Sequence, residues 1–107
     1  MKRFELGRIS ATPSAINGLK KADSEGSHTR YAARLLARHH NGDWGDMDAN
    51  RNNEALERGG CITSEYSVIG GSEVFKFVVV TEPDRSSTTI MTPNEITPKP
   101  IPLQTND

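Results

Sequence analysis

Apolar and polar positions alternate most regularly between Cys61 and Ile69, where Ile62, Tyr66 and Val68 fall on one side of an extended chain. A period of two over that length predicts a strand with one face in a core. Gly70-Gly71-Ser72 supplies turn chemistry, and the stretch from Val74 to Thr81 is apolar on both faces apart from Lys76. That stretch reads as the central strand of a sheet. Glu82-Pro83-Asp84-Arg85 sets proline at the second position of a type I turn. Ser87 to Thr92, rich in β-branched residues, returns as a third strand, which makes the segment an antiparallel meander.

The N-terminal half changes period. Phe4 and Leu6 alternate with charged neighbours, so Phe4 to Ala11 reads as a short strand. Thr12-Pro13 then offers an N-cap hydroxyl followed by proline at the first helical position. Ala15, Ile16 and Leu19 continue at helical spacing toward Ala22. Ser27 is placed to cap a second helix from His28 to His40, with Tyr31, Leu35, Leu36 and Ala32 on its apolar side. Asn41-Gly42 is its stop signal. Asp48 caps a third, mostly exposed helix that ends at Gly59-Gly60.

These elements define an α+β domain over residues 1–96: an N-terminal strand, two or three short helices, then a three-stranded antiparallel meander with helices packed on one face. The N-terminal strand is a candidate fourth member of the sheet. From Pro93 onward the chain changes character, and Pro98, Pro100 and Pro102 mark residues 97–107 as a proline-rich tail.

Composition narrows the functional classes. A chain of 107 residues is one domain, and 34% apolar residues is a modest share for its core. Thirteen basic against fourteen acidic residues argue against a nucleic-acid coat or a polyanion mimic acting through net charge. A single cysteine, Cys61, rules out an internal disulfide framework and fits a reducing cytoplasm; its place at the head of a strand reads as a buried small hydrophobe. The N-terminus lacks the apolar run of a signal peptide, and no stretch approaches membrane-spanning length, so no membrane partner is expected.

Candidate chemistry gathers between Arg30 and Gly60. Arg30, Arg34 and Arg38 recur at i, i+4, so three guanidiniums line one helical face. They suit a phosphate or an acidic protein partner. The plainer alternative is pairing with the chain's own Asp43, Asp46, Asp48 or Glu54. His39 and His40 with the nearby aspartates are the only candidate metal set, and metal-assisted hydrolysis is the enzymatic alternative. Adjacent histidines on a helix point about 100° apart, however, and His40 suits the helix C-terminus as a cation. Trp44, between Gly42 and Gly45, is either an exposed binding anchor or a buried one fixing the loop to the core. No cofactor motif and no assembled catalytic set is visible. The surface expected to bind a partner is therefore Arg30, Arg34, Arg38, Asp43, Trp44, Asp46 and Asp48, and nucleic acid along the arginine stripe is the third alternative.

Four phrases carry a resemblance: F-E-L-G-R-I-S-A-T-P at 4–13, L-L-A-R-H-H-N-G-D-W-G-D at 35–46, N-E-A-L at 53–56 and V-T-E-P-D-R-S-S-T-T-I-M-T-P-N-E at 80–95. Together they resemble a family of small proteins carried by plasmids, phages and genomic islands, with an R-H-x-x-G-D-W-G and an I-T-E-x-D-R-S-x-T-T signature. The resemblance spans roughly residues 4–96, and the chain departs from it at Pro83, Met91, Ile96 and in the tail. It implies a setting on mobile genetic elements. An accessory protein that acts by binding host machinery is the corresponding expectation, an anti-CRISPR or antirestriction inhibitor of a defence complex in the cytoplasm.

Overall fold

The structure is a computed structural model that describes residues 4–95. The element order is β1 (Arg8–Ala11), α1 (Pro13–Ala22), α2 (Thr29–His40), α3 (Ala49–Arg58), β2 (Ile62–Gly70), β3 (Glu73–Thr81) and β4 (Ser87–Met91), followed by a single 3-10 turn at Pro93–Glu95. The expected α+β architecture is present, with three helices and a four-stranded sheet. Strands β2, β3 and β4 form the antiparallel meander, and β1 joins it as the fourth strand, in the order β1-β4-β3-β2. It lies parallel to β4, with Arg8 opposite Ser87 and Ala11 opposite Ile90. The sheet is thus mixed, and β3 is interior as its two apolar faces require. The proline-rich tail expected at 97–107 lies outside the described residues.

Each turn has a visible cause. Thr12 caps α1 by accepting the Ala15 amide at 3.1 Å, and Pro13 opens the helix. Asp48 caps α3 by accepting the Asn50 amide at 2.9 Å. In the turn after β3, the Arg85 amide donates to the Glu82 carbonyl at 2.9 Å, with Pro83 second in the turn. Gly70 packs against the end of α1, where an added Cβ would lie 2.7 Å from Ala22. That close approach seats the β2–β3 hairpin under α1.

Two boundaries differ from the sequence reading. β1 is only four residues long, because Phe4 and Leu6 alternate for another reason: both pack into an apolar cluster with Trp44, Ala55 and Ile62. His28, not Ser27, occupies the N-cap of α2, and it makes no side-chain capping bond. Ser27 instead accepts the Thr29 amide from one position further out. Pro93–Glu95, inside the 1–96 bound read from the sequence, is part of the fold. The Glu95 carboxylate accepts bonds from Thr12 Oγ1 at 2.7 Å, the Thr92 amide at 2.8 Å and the Thr92 hydroxyl at 2.9 Å. It ties the end of β4 to the start of α1.

The larger core cluster lies between α1, α2 and the inner face of the sheet. Leu19, Leu35, Tyr66, Phe77, Val79 and Ile90 fill it. Burying each such side chain contributes about 1.5–3 kcal/mol. A smaller cluster of Phe4, Trp44, Ala55 and Ile62 sits beside it at the α3 end.

Candidate functional site

α2 forms because its apolar residues return every three to four positions, and Leu35 and His39 are its buried ones. The flank of the helix beside β2 carries the arginine stripe, and the structure shows where each guanidinium goes. Arg30 lies 3.9 Å from Asp23 and 3.4 Å from Glu25. Arg38 meets Asp43 through two N–H groups, at 2.7 and 3.3 Å, and lies 4.4 Å above the Tyr66 ring. This fork holds the Asp43 carboxyl below the usual carboxylate range and raises Arg38. Arg34 lies over Tyr31, 5.7 Å from the ring centre, and among the described residues it has no acidic partner. Self-pairing therefore accounts for two arginines of the stripe, with Asp23 and Glu25 as partners not anticipated, and leaves the middle one facing solvent.

The loop after α2 is anchored from both sides. Gly42 and Gly45 take positive φ, 87° and 68°, and Asp43 accepts the Gly45 amide at 3.2 Å. A Cβ on Gly45 would lie 2.0 Å from the Glu65 carbonyl oxygen, so glycine is required for the loop to reach β2. There the Glu65 amide donates to Trp44 O at 3.1 Å, and the Asp46 amide donates to Glu65 O at 2.9 Å. The Tyr66 hydroxyl donates to Asp43 O at 2.6 Å, and burial pushes its phenol up to about 12. Trp44 itself is buried at 6% exposure, so it anchors the loop and leaves the expected contact surface. Asp43 and Asp46 remain exposed, as does Asp48, whose carboxylate is occupied by the α3 cap.

His39 corrects the metal alternative most directly. It is fully buried, and both ring nitrogens are bonded inside the core: Nδ1 to Ser64 Oγ at 2.5 Å, and Nε2 to Thr81 Oγ1 at 2.9 Å. The chain continues from Thr81 to Thr88 at 2.7 Å and ends where the Thr88 hydroxyl donates to Leu6 O at 2.7 Å. A hydroxyl has one proton to give. Thr88 spends its proton on Leu6, so Thr81 donates to Thr88 and must accept from His39. His39 is therefore the Nε2–H tautomer, and its Nδ1 accepts from Ser64. Burial, reinforced by neighbouring His40, lowers its pKa to about 4 and keeps it neutral. Neither nitrogen is available to an ion, and among the described residues no three His, Cys, Asp or Glu side chains converge as a metal site.

Two further residues were invisible to spacing arguments. Arg85 takes a left-handed backbone, φ 62°, and its guanidinium donates to the carbonyls of Gly60, Glu82, Pro83 and Ala55 at 2.6, 3.1, 3.1 and 3.1 Å. It clips the end of α3 to the β3–β4 turn. Asn52 faces the outer edge of β2, where its amide donates to Thr63 O at 2.7 Å and its carbonyl accepts the Thr63 amide at 3.0 Å. A side chain here completes the edge as a neighbouring strand would. Cys61, expected to be buried, is exposed at the mouth of a cleft of about 540 Å³ between α3 and the outer sheet face.

Beyond these anchors lies an open groove of about 270 Å³, lined by Tyr31, Arg34 and Arg38 of α2 and by Ser67, Val68 and Ile69 of β2. The arginine stripe forms one wall and the sheet edge the other. Comparisons with protein-family models, with curated proteins and with solved structures give no match to the chain. No described helix is long and apolar enough to cross a membrane.

Proposed function

We propose that this chain is a binding protein whose contact surface is the exposed face of α2, centred on Arg34, with the groove beside it. The observation that carries the reading is the disposition of the charged residues: Arg30 and Arg38 are braced by carboxylates, while Arg34 stands between them over an open groove. Bracing reduces the side-chain entropy lost on contact, so a rigid charged rim suits protein recognition. His39, Trp44 and Arg85 all serve the fold. The segments that resemble the mobile-element family hold those anchors and Arg38, whereas Arg30 and Arg34 lie outside them, which leaves that part of the α2 face free to choose a partner. In that setting the partner is a bacterial defence complex, and the chain inhibits it. Nucleic acid fits less well, since a phosphate track needs several unpaired cations and two of these three are occupied.

The test is phage plating on hosts with an active restriction or CRISPR system. Expression of the chain should raise plating, and Arg34→Glu combined with Arg30→Glu should remove the effect while the protein stays folded. Plating unchanged by the wild-type chain on every such host would reject inhibition, and plating unaffected by the two reversals would reject this surface.

A further inference from the structure

The outer edge of β2 is treated unevenly along its length. In the β2–β3 ladder, residues whose backbone groups face the partner strand alternate with residues whose groups face out. Thr63 and Glu65 face out, because Asn52 and the Trp44–Asp46 loop bond them from outside the sheet. By the same alternation, the N–H and C=O groups of Ser67 and Ile69 also face out. Among the described residues none of these four groups has a partner. An open edge is normally blunted, and here the chain blunts the first half and leaves the second.

The surroundings of that second half specify an occupant. On the helix side it borders the groove with Tyr31, Arg34 and Arg38. On the outer face, Ile69 is 71% exposed and its cross-strand neighbour Val74 is 59% exposed, while Lys76 stands opposite Ser67. A strand laid along Ser67–Ile69 would alternate its side chains between these surfaces. Those facing α2 meet guanidinium, and those facing outward meet the Ile69–Val74 pair with the exposed Lys76 beside it. Two copies of this chain joined edge to edge would set their Arg34 and Arg38 side chains near one another across the seam, which charge repulsion opposes.

We propose that Ser67–Ile69 accepts an extended acidic segment of a partner protein as a fifth strand, with alternate carboxylates on Arg34 and alternate apolar side chains on Ile69 and Val74. Main-chain bonds supply the attachment, and the two flanking surfaces supply the choice of sequence. The inference rests on the reading of the α2 face as a protein contact and adds the form of what binds there. The Trp44–Asp46 loop already uses this mode two residues earlier, as a parallel bridge between Gly45 and Glu65.

The probe is a fluorescein-labelled hexapeptide alternating glutamate and valine, titrated against the full chain by anisotropy, with a lysine-for-glutamate peptide as its counterpart. Saturable binding of the glutamate peptide alone is expected, weakened about tenfold by Arg34→Glu, which turns an attraction into a repulsion. Ser67→Pro removes an outward N–H without touching the β3 ladder and should abolish binding. A measurement on the unaltered protein covers the case in which that variant misfolds: the Ser67 and Ile69 amides should exchange rapidly when free and become protected by the peptide. No saturable binding, equal binding of both peptides, or slow exchange of these amides in the free chain would overturn the proposal. Self-association lost in Ser67→Pro, with no peptide binding, would assign the edge to a second copy instead. If Arg34→Glu weakens binding while the two amides stay unprotected, edge pairing fails and the α2 contact survives.

Discussion

A neutral imidazole sealed between hydroxyls links folding to protons at His39. In the unfolded chain it titrates near 6.5, and in the fold only near 4. Between those values the unfolded state holds the extra proton. The stability His39 contributes is therefore complete above pH 6.5 and drains as pH falls toward 4, by about 3 kcal/mol in all. Urea midpoints measured from pH 7.5 to 4.5 should fall accordingly, and His39→Gln should flatten the upper part of that curve. Asp43 and Glu95, both held below their usual values, withdraw their own contributions only further into acid. Arg85 gives a second residue-level prediction. Loss of its clip should cost about 2 kcal/mol in Arg85→Ala, while Arg85→Gly, which accepts positive φ freely, should be the more stable of the two by about 1 kcal/mol. Thermal melts of the pair test the ranking, and an alanine variant equal to glycine would show that the backbone there carries no strain. Neither role was legible in the sequence. His39 reads from spacing as half of a candidate metal pair, and a left-handed arginine leaves no mark in spacing. Both depend on partners 25 to 42 residues away.

Among the elements, the meander was legible because strand alternation and turn chemistry agree locally, from Ile62 through Met91. The caps at Thr12 and Asp48 were legible for the same reason. The extent of β1 was not, since Phe4 and Leu6 obey a strand's period while serving the small cluster around Trp44. The arginine stripe of the candidate site follows from helical spacing alone. Its groove does not, because it exists only once α2 lies beside the open half of β2. Asn52 is the element-scale test of how the closed half is made. Asn52→Leu keeps the branched outline but strands the Thr63 amide and carbonyl, and should cost about 2–3 kcal/mol in chemical denaturation. A loss below half of that would mean water replaces the side chain without penalty, so that Asn52 covers the edge without securing it.

At the scale of the molecule, two apolar clusters of unequal size meet around His39, whose ring packs edge-on against Phe4 and Trp44, with ring centres 5.3 and 5.9 Å away. The smaller one has fewer buried side chains and should open first. Phe4→Ala should shift Trp44 emission to longer wavelength at urea concentrations where far-ultraviolet circular dichroism is still native. Coincident transitions by the two probes would show that the clusters open together. The pairing of β1 with β4 carries a consequence for biosynthesis. Arg8 emerges from the ribosome well before Ser87, its neighbour in the sheet. Translation must run through nearly the whole domain before that seam closes, so the nascent polypeptide waits with its first strand unclaimed. A chaperone able to shield that strand would act during the wait, and stalled chains ending before β4 should be digested by protease where released ones resist.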